Sequence, residues 1–211
     1  KGDLMAGKFL TIEGPDGAGK TTQVEKIRVY LESRGHKVLV TREPGGTLLG
    51  ERLREILLNF EKENPVPEAE ALIYAASRAQ LVKKIIGPAL QKGSIVLCDR
   101  FVDSSLAYQG FARGLGIRKL ESVNRWFLKD IWPDMTIILD IDPTKSLKRL
   151  QGQKDRLERE ALDFHKKVRE GFLVLHKMYP HRIKKVDASH KPEQVFEKIL
   201  FEIRKSCIIK I

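Results

Sequence analysis

The stretch Gly14-Pro15-Asp16-Gly17-Ala18-Gly19-Lys20-Thr21 fits the pattern G-x-x-x-x-G-K-[S/T] and directly follows the apolar run Phe9-Leu10-Thr11-Ile12. A strand that breaks into a glycine-rich turn and resumes as a helix reads as a phosphate-binding loop. Its small residues let successive backbone N–H groups curl around phosphate oxygens, and the following helix turns its partial positive end toward the same anion. Lys20 then reaches the outer phosphates, and the Thr21 hydroxyl a magnesium ion. Hydrolysis, group transfer and switching all use such a loop, so the reaction must be read from the rest of the chain.

Outward from the loop, apolar runs at 9–12, 38–40, 95–98, 136–141 and 183–186 alternate with helical patterns. That alternation predicts an α/β fold of βαβ units with helices on both faces of a parallel sheet. Helices are expected over 20–33, closed by Gly35, then after Gly50, over 67–90, and after Gly116, Pro143 and Arg156. A last helix follows Lys191-Pro192, with Val195, Phe196, Ile199, Leu200 and Ile203 on one face as core packing. Residues 61–67 read as a surface loop. No repeat or linker divides the chain, which predicts a single domain over 1–211, with 1–7 as a flexible terminus or an expression remnant and Met5 as a candidate start.

With 211 residues, 42% of them hydrophobic, the chain can bury one core. It lacks the ~20-residue apolar run a membrane span needs and shows no signal-peptide pattern at its beginning, so a soluble, cytoplasmic protein without a membrane partner is expected. Of the net charge of +11, much comes from residues 145–185, where thirteen Lys/Arg stand against five Asp/Glu. These cations are dispersed among acids and lack interleaved aromatics, which fits small polyanions and gives no nucleic-acid partner. Cys98 and Cys207 have no metal-ligand spacing and read as idle thiols. The five histidines, His36, His165, His176, His181 and His190, are expected on surfaces or helix ends.

A parallel sheet places its ligands beyond the carboxyl ends of its strands. There the sequence carries Thr41-Arg42-Glu43-Pro44-Gly45-Gly46-Thr47 after the second strand, and Asp99-Arg100-Phe101, Ser104-Ser105 and Ala107-Tyr108-Gln109-Gly110 after the third. Tyr74 and Arg78 are spaced i, i+4 and share a helix face; alone, that pair reads as a half-buried tyrosine beside a surface arginine.

Together with Ala76-Ser77-Arg78 and the extended loop Gly14 to Thr22, these segments closely resemble thymidylate kinase, in the family's order from Lys8 onward. The resemblance implies a P-loop, nucleoside monophosphate kinase-like fold with a five-stranded parallel sheet, and magnesium-dependent transfer from ATP to dTMP in a homodimer. It assigns ATP to Gly14, Pro15, Asp16, Gly17, Ala18, Gly19, Lys20, Thr21 and Arg149. Thymine would stack on Tyr74, where the family usually has Phe, and be read by Arg78; Ser104, Ser105, Tyr108 and Gln109 surround the base edge and sugar. By the same resemblance Arg100 grips the monophosphate, Asp16 faces the acceptor's sugar and phosphate, and Glu43 lies in the loop closing over it. Mg²⁺ falls to Thr21 and, through its water shell, to Asp99.

Some members carry an arginine directly after the loop carboxylate, but here that position is Gly17. The missing cation is therefore expected in a glycine-containing lid at about 150–156, flanked by Arg149 and containing Lys154 and Arg156, as in the lid-arginine branch of the family. Arg156 is the choice, opening the helix that returns from the lid; its competing reading is an i, i+4 ion pair to Glu160. The catalytic set is thus Asp16, Lys20, Asp99, Arg100 and Arg156. A different P-loop kinase of a nucleoside monophosphate or small metabolite shares the loop, and a nucleic-acid-stimulated ATPase would suit the charge. A regulatory GTPase would need an Asn-Lys-x-Asp element, which the sequence lacks.

Overall fold

The computed structural model describes residues 7–59, 64–150 and 155–209. Strands β1 (Lys8–Glu13), β2 (Val38–Arg42), β3 (Ile95–Asp99), β4 (Met135–Asp140) and β5 (Ile183–Asp187) form one sheet in the order β2-β3-β1-β4-β5. Every neighbouring pair is parallel. After β3 the chain crosses β1 to reach β4, so connections leave the two sides of β1 in opposite directions. The crevice this opens at the carboxyl end of β1 is where an α/β sheet binds its ligand, and it holds the phosphate loop.

Alternation along β1 sends Leu10 and Ile12 to one face and Phe9, Thr11 and Glu13 to the other. Leu10 and Ile12 pack under α1 (Lys20–Ser33) and α9 (Pro192–Ser206), which bury Val24, Ile27, Leu31, Val195, Ile199 and Ile203. Phe9 and its neighbours face α3 (Pro67–Leu81), α6 (Ile117–Leu128) and α8 (Leu162–Met178). This second face also buries polar groups: Thr11 and Thr136 share a hydrogen bond of 2.8 Å, and Asp103 accepts from Thr136 and Arg182.

The expected helices are present with four corrections. Helix α2 (Leu48–Asn59) begins before Gly50 rather than after it. The helix expected over 67–90 is α3 followed by a π-helical turn (Val82–Ile86) and α4 (Gly87–Gln91). The segment after β3 is itself helical, as α5 (Val102–Ser105) and a π-helical stretch (Leu106–Ala112). The short α7 (Pro143–Ser146) follows β4 as expected, but α8 starts at Leu162, not after Arg156. There the Glu158 N–H donates to Asp155 Oδ1 (2.9 Å) and the Asp155 N–H to Glu158 Oε2 (3.0 Å), local bonds that hold the chain in turns.

Gly7, expected in a flexible terminus, is fixed by its N–H to the Leu90 carbonyl at 3.0 Å. Residues 1–6, 61–63 of the surface loop and 151–154 of the lid, Lys154 included, lie outside the described residues. Cys98 is buried and Cys207 exposed, both as free thiols. His165 corrects the expectation for histidines: it is 1% exposed, edge-on to the Phe164 ring at 5.8 Å. Among the described residues no helix is long and apolar enough to cross a membrane.

Candidate active site

The phosphate loop joins β1 to α1, with Gly17 and Gly19 at φ +75° and +91°. A Cβ at Gly17 would stand 2.1 Å from the Ser146 carbonyl oxygen, so no side chain fits at that position. The Lys20 ammonium folds into the loop and donates to the carbonyls of Gly14 (3.2 Å) and Pro15 (3.0 Å). It is only 8% exposed; burial, reinforced by Arg100, lowers its pKa to about 8. Ala18 packs into the core under the loop.

Arg100 follows β3 in the left-handed region, at φ +66°, where a non-glycine residue costs roughly 1–3 kcal/mol. Its N–H donates to the Ile12 carbonyl at 3.0 Å, so the chain bends over β1 and turns the guanidinium toward the loop. Nη1 donates to Gly14 O (3.0 Å) and Ser104 Oγ (3.1 Å), while Nη2 pairs with Asp16. The Tyr108 hydroxyl donates to the second Asp16 oxygen at 2.9 Å. Burial alone would raise the Asp16 carboxyl, but Arg100 and Lys20 bring it down to about 2.

Beneath this group Glu13 is fully buried and accepts from the Phe101 N–H (2.7 Å) and from Ser104. Burial, with Asp103 nearby, pushes its carboxyl up to about 8. An acid that closes an otherwise apolar strand was the available sequence signal for it.

The Thr21 hydroxyl donates to Asp99 Oδ2 at 2.7 Å, so a hydroxyl and a carboxylate stand together beside the loop. Among the described residues no group of three or more His, Cys, Asp or Glu could hold a metal by itself. One hydroxyl and one carboxylate fit Mg²⁺, which keeps waters and takes substrate phosphates as its remaining ligands.

Across the cavity, Arg78 is 1% exposed, not a surface arginine. Its Nε donates to Glu43 (2.8 Å), Nη1 to Asn124 (2.7 Å), and Nη2 to Ser105 (2.8 Å) and the Phe101 carbonyl (3.3 Å). A guanidinium has five N–H donors, and these bonds leave one on Nη1. Glu43 is equally buried, and loss of solvent pushes its carboxyl above the ordinary range. Tyr74 lies one turn before Arg78 on α3, 9% exposed.

These groups meet in one cavity of about 440 Å³, within the usual range for a small-molecule site. Asp16, Gly17, Gly19, Lys20, Thr21 and Asp99 line one end; Glu43, Tyr74, Arg78, Tyr108 and Gln109 line the other, with Arg100, Ser104 and Ser105 between. Arg149 and Arg156 are not brought there. Arg149 donates to the Ala188 carbonyl at 3.2 Å. Arg156 donates to the Leu57 carbonyl at 2.9 Å and pairs with Glu70 of α3, while Glu160 pairs with Arg113, so the expected Arg156–Glu160 pair does not form. Both acids of the turn after the lid, Asp155 and Glu158, line the cavity, as does Arg54, which donates to the Pro44 carbonyl at 3.0 Å. The sequence reading missed Arg54, Asn124 and Glu70; only Glu70 had a signal, lying i−4 from Tyr74 on the same face.

The model of the thymidylate kinase family matches residues 12–199. The thymidylate kinase of Caldanaerobacter subterraneus subsp. tengcongensis is 54% identical over 185 residues, 87% of this chain and 88% of the relative. That of Clostridium novyi is 47% identical over 200 residues, covering 93% and 98%. Among solved structures, thymidylate kinase from Ehrlichia chaffeensis superposes with a TM-score of 0.77 at 34% identity, over 93% of this chain and 98% of that one. Family model, relatives and fold agree across nearly the whole length, and the chain belongs to the thymidylate kinase family.

Proposed function

We propose that the cavity carries out phosphorylation of dTMP by ATP, the family's reaction, with donor phosphates at the loop end and thymine at the Tyr74–Arg78 end. One observation carries the division: Asp16 of the phosphate loop is bonded to Arg100 and to Tyr108 of the aromatic wall, so this carboxylate links the two ends. Phosphoryl transfer asks the protein for positioning and charge neutralisation rather than covalent chemistry. Lys20 and Arg100 supply fixed positive charge at the two phosphate groups, and Asp16 aims Arg100. Thr21 and Asp99 are the residues that would hold Mg²⁺, which would supply further neutralisation of the phosphates. Tyr74 offers its ring face to the base, and Arg78 its remaining N–H to the base edge. Ser104 and Ser105 anchor the two arginines, and Glu43 holds Arg78 in place.

The lid supplies the additional cation in this reading, because Gly17 leaves no room for one on the loop. Arg156 takes that role on closure by exchanging Glu70 for phosphate, with Arg149 on the ATP side. A homodimer is the assembly this reading favours: α3 and α6 pack together and leave Leu72 (59%), Val123 (37%) and Trp126 (82%) exposed. The place of action is the cytoplasm, and the product feeds dTTP synthesis.

The test is ADP release from ATP with dTMP, beside an acceptor-free control and dUMP, dCMP, AMP and shikimate. Preference for dTMP is expected. Equal or greater turnover with AMP or shikimate would assign the acceptor end to another metabolite, and ADP release that needs DNA or RNA would replace the kinase reading.

A further inference from the structure

Glu70 is 1% exposed and lies one turn before Tyr74, which lies one turn before Arg78, so three buried side chains form a stripe along α3 behind the acceptor end of the cavity. One carboxylate oxygen, Oε1, accepts from Gln109 Nε2 at 2.8 Å; the other faces Arg156 and Arg113. A carboxylate accepts but does not donate, so only the NH₂ end of the Gln109 amide can meet it. The opposite end, Oε1, receives no hydrogen bond from any described residue, and Gln109 lines the cavity.

We propose that Glu70 determines base specificity by fixing which end of the Gln109 amide faces the acceptor, an inference that rests on the acceptor pocket proposed above. With Nε2 held by Glu70, Gln109 offers an acceptor oxygen; beside it Arg78 offers a donor. That pair complements thymine or uracil, which present the O4 acceptor next to the N3–H donor. Cytosine presents the inverse, an amino donor at C4 beside an N3 acceptor. The acidic residue never touches the base: it is a positioning residue that acts through a neighbouring amide. An amide at residue 70 could donate as well as accept, and would let Gln109 turn over and present its NH₂ instead.

The readout is the ratio of kcat/KM for dTMP to that for dCMP, which cancels effects on the lid cation because that group serves both acceptors alike. Glu70→Gln is expected to lower the ratio at least about tenfold, on the scale by which polar pockets discriminate hydrogen-bonding edges. Glu70→Asp, still acceptor-only, is expected to keep it within about threefold. Glu70→Gln combined with Gln109→Leu is expected to show the same ratio as Gln109→Leu alone, since a residue acting through Gln109 adds nothing once it is gone. A folded Glu70→Gln enzyme with the wild-type ratio overturns the inference, as does a double variant with a lower ratio than Gln109→Leu. If thermal melting shows that Glu70→Gln does not fold, Glu70→Asp decides: dTMP preference kept supports the inference, and preference lost overturns it. Should Gln109→Leu itself keep the wild-type ratio, the acceptor-pocket reading fails and this inference with it. Loss of the ratio in Gln109→Leu but not in Glu70→Gln overturns the role of Glu70 alone.

Discussion

The two ends of the cavity are charged by different means. At the loop end the geometry comes from consecutive residues: a turn between β1 and α1 aligns backbone dipoles, and Lys20 lies in the same eight-residue run. At the acceptor end the charges are buried side chains brought together from distant segments, Glu43 after β2, Arg78 on α3, Ser105 after β3 and Asn124 on α6. A loop that relies on its own backbone tolerates the loss of a side chain structurally and loses chemistry. A wall of interlocked buried charges loses its fold support when one member goes, because the partner is left desolvated.

Arg78→Ala is the sharpest way to break this contrast. It leaves Glu43 buried without its guanidinium partner, and should cost about 3–5 kcal/mol of stability, read by denaturant melts, as well as raising KM for dTMP. Arg78→Ala combined with Glu43→Gln should recover part of that stability but not the KM. Next in size, Lys20→Ala should remove on the order of 3 kcal/mol of transition-state stabilisation while shifting the melting temperature little; near wild-type turnover would end the assignment of this lysine.

Arg156→Ala tests whether the lid belongs with the loop or with the wall. As the transferring cation it should lower kcat about a hundredfold, or ~2.7 kcal/mol. A fall confined to stability would leave it as a partner of Glu70 only.

The last prediction is read as a pH slope and concerns Glu13. Its carboxyl is raised from 4.5 to about 8 in the folded protein, so the folded state binds more protons than the unfolded one between those values. The contribution of this carboxyl to stability is then fully present below pH ~4.5 and is lost as pH rises through about 8. Glu13→Gln keeps an acceptor for the Phe101 N–H and should flatten that decline, by several degrees of melting temperature across pH 5 to 8. A wild-type slope unchanged in the variant would show that another group sets it.

What could be read from the sequence follows the same division. The phosphate loop, Asp99-Arg100 and α1 with its observed bounds are local patterns whose physics is complete within a few residues. Four strands announced themselves as apolar runs; β5, with Lys184 and Lys185 inside it, shows only Ile183 and Val186 as apolar and buried, and the sheet supplied the order of all five. The partners of Arg78 were not legible as a set because they lie 35, 27 and 46 residues away and meet only when the sheet is assembled. Helix α8 was misplaced because Asp155 and Glu158 look like good first-turn residues, yet spend their side chains on each other's backbone. The left-handed backbone at Arg100 left no trace in composition at all, since arginine carries no preference for it.

Gly17 carries a consequence for how such enzymes change over time. An arginine in the loop and a cation in the lid look like exchangeable solutions one substitution apart. In this chain they are not: Gly17→Arg would drive its Cβ into the Ser146 carbonyl before the guanidinium reached anything. The segment from Pro143 to Arg149 would have to retreat first, and that segment also anchors Arg149 against Ala188. A loop arginine is therefore more than one codon away from this chain: the Pro143–Arg149 segment would have to be reshaped as well before that side chain could be accommodated.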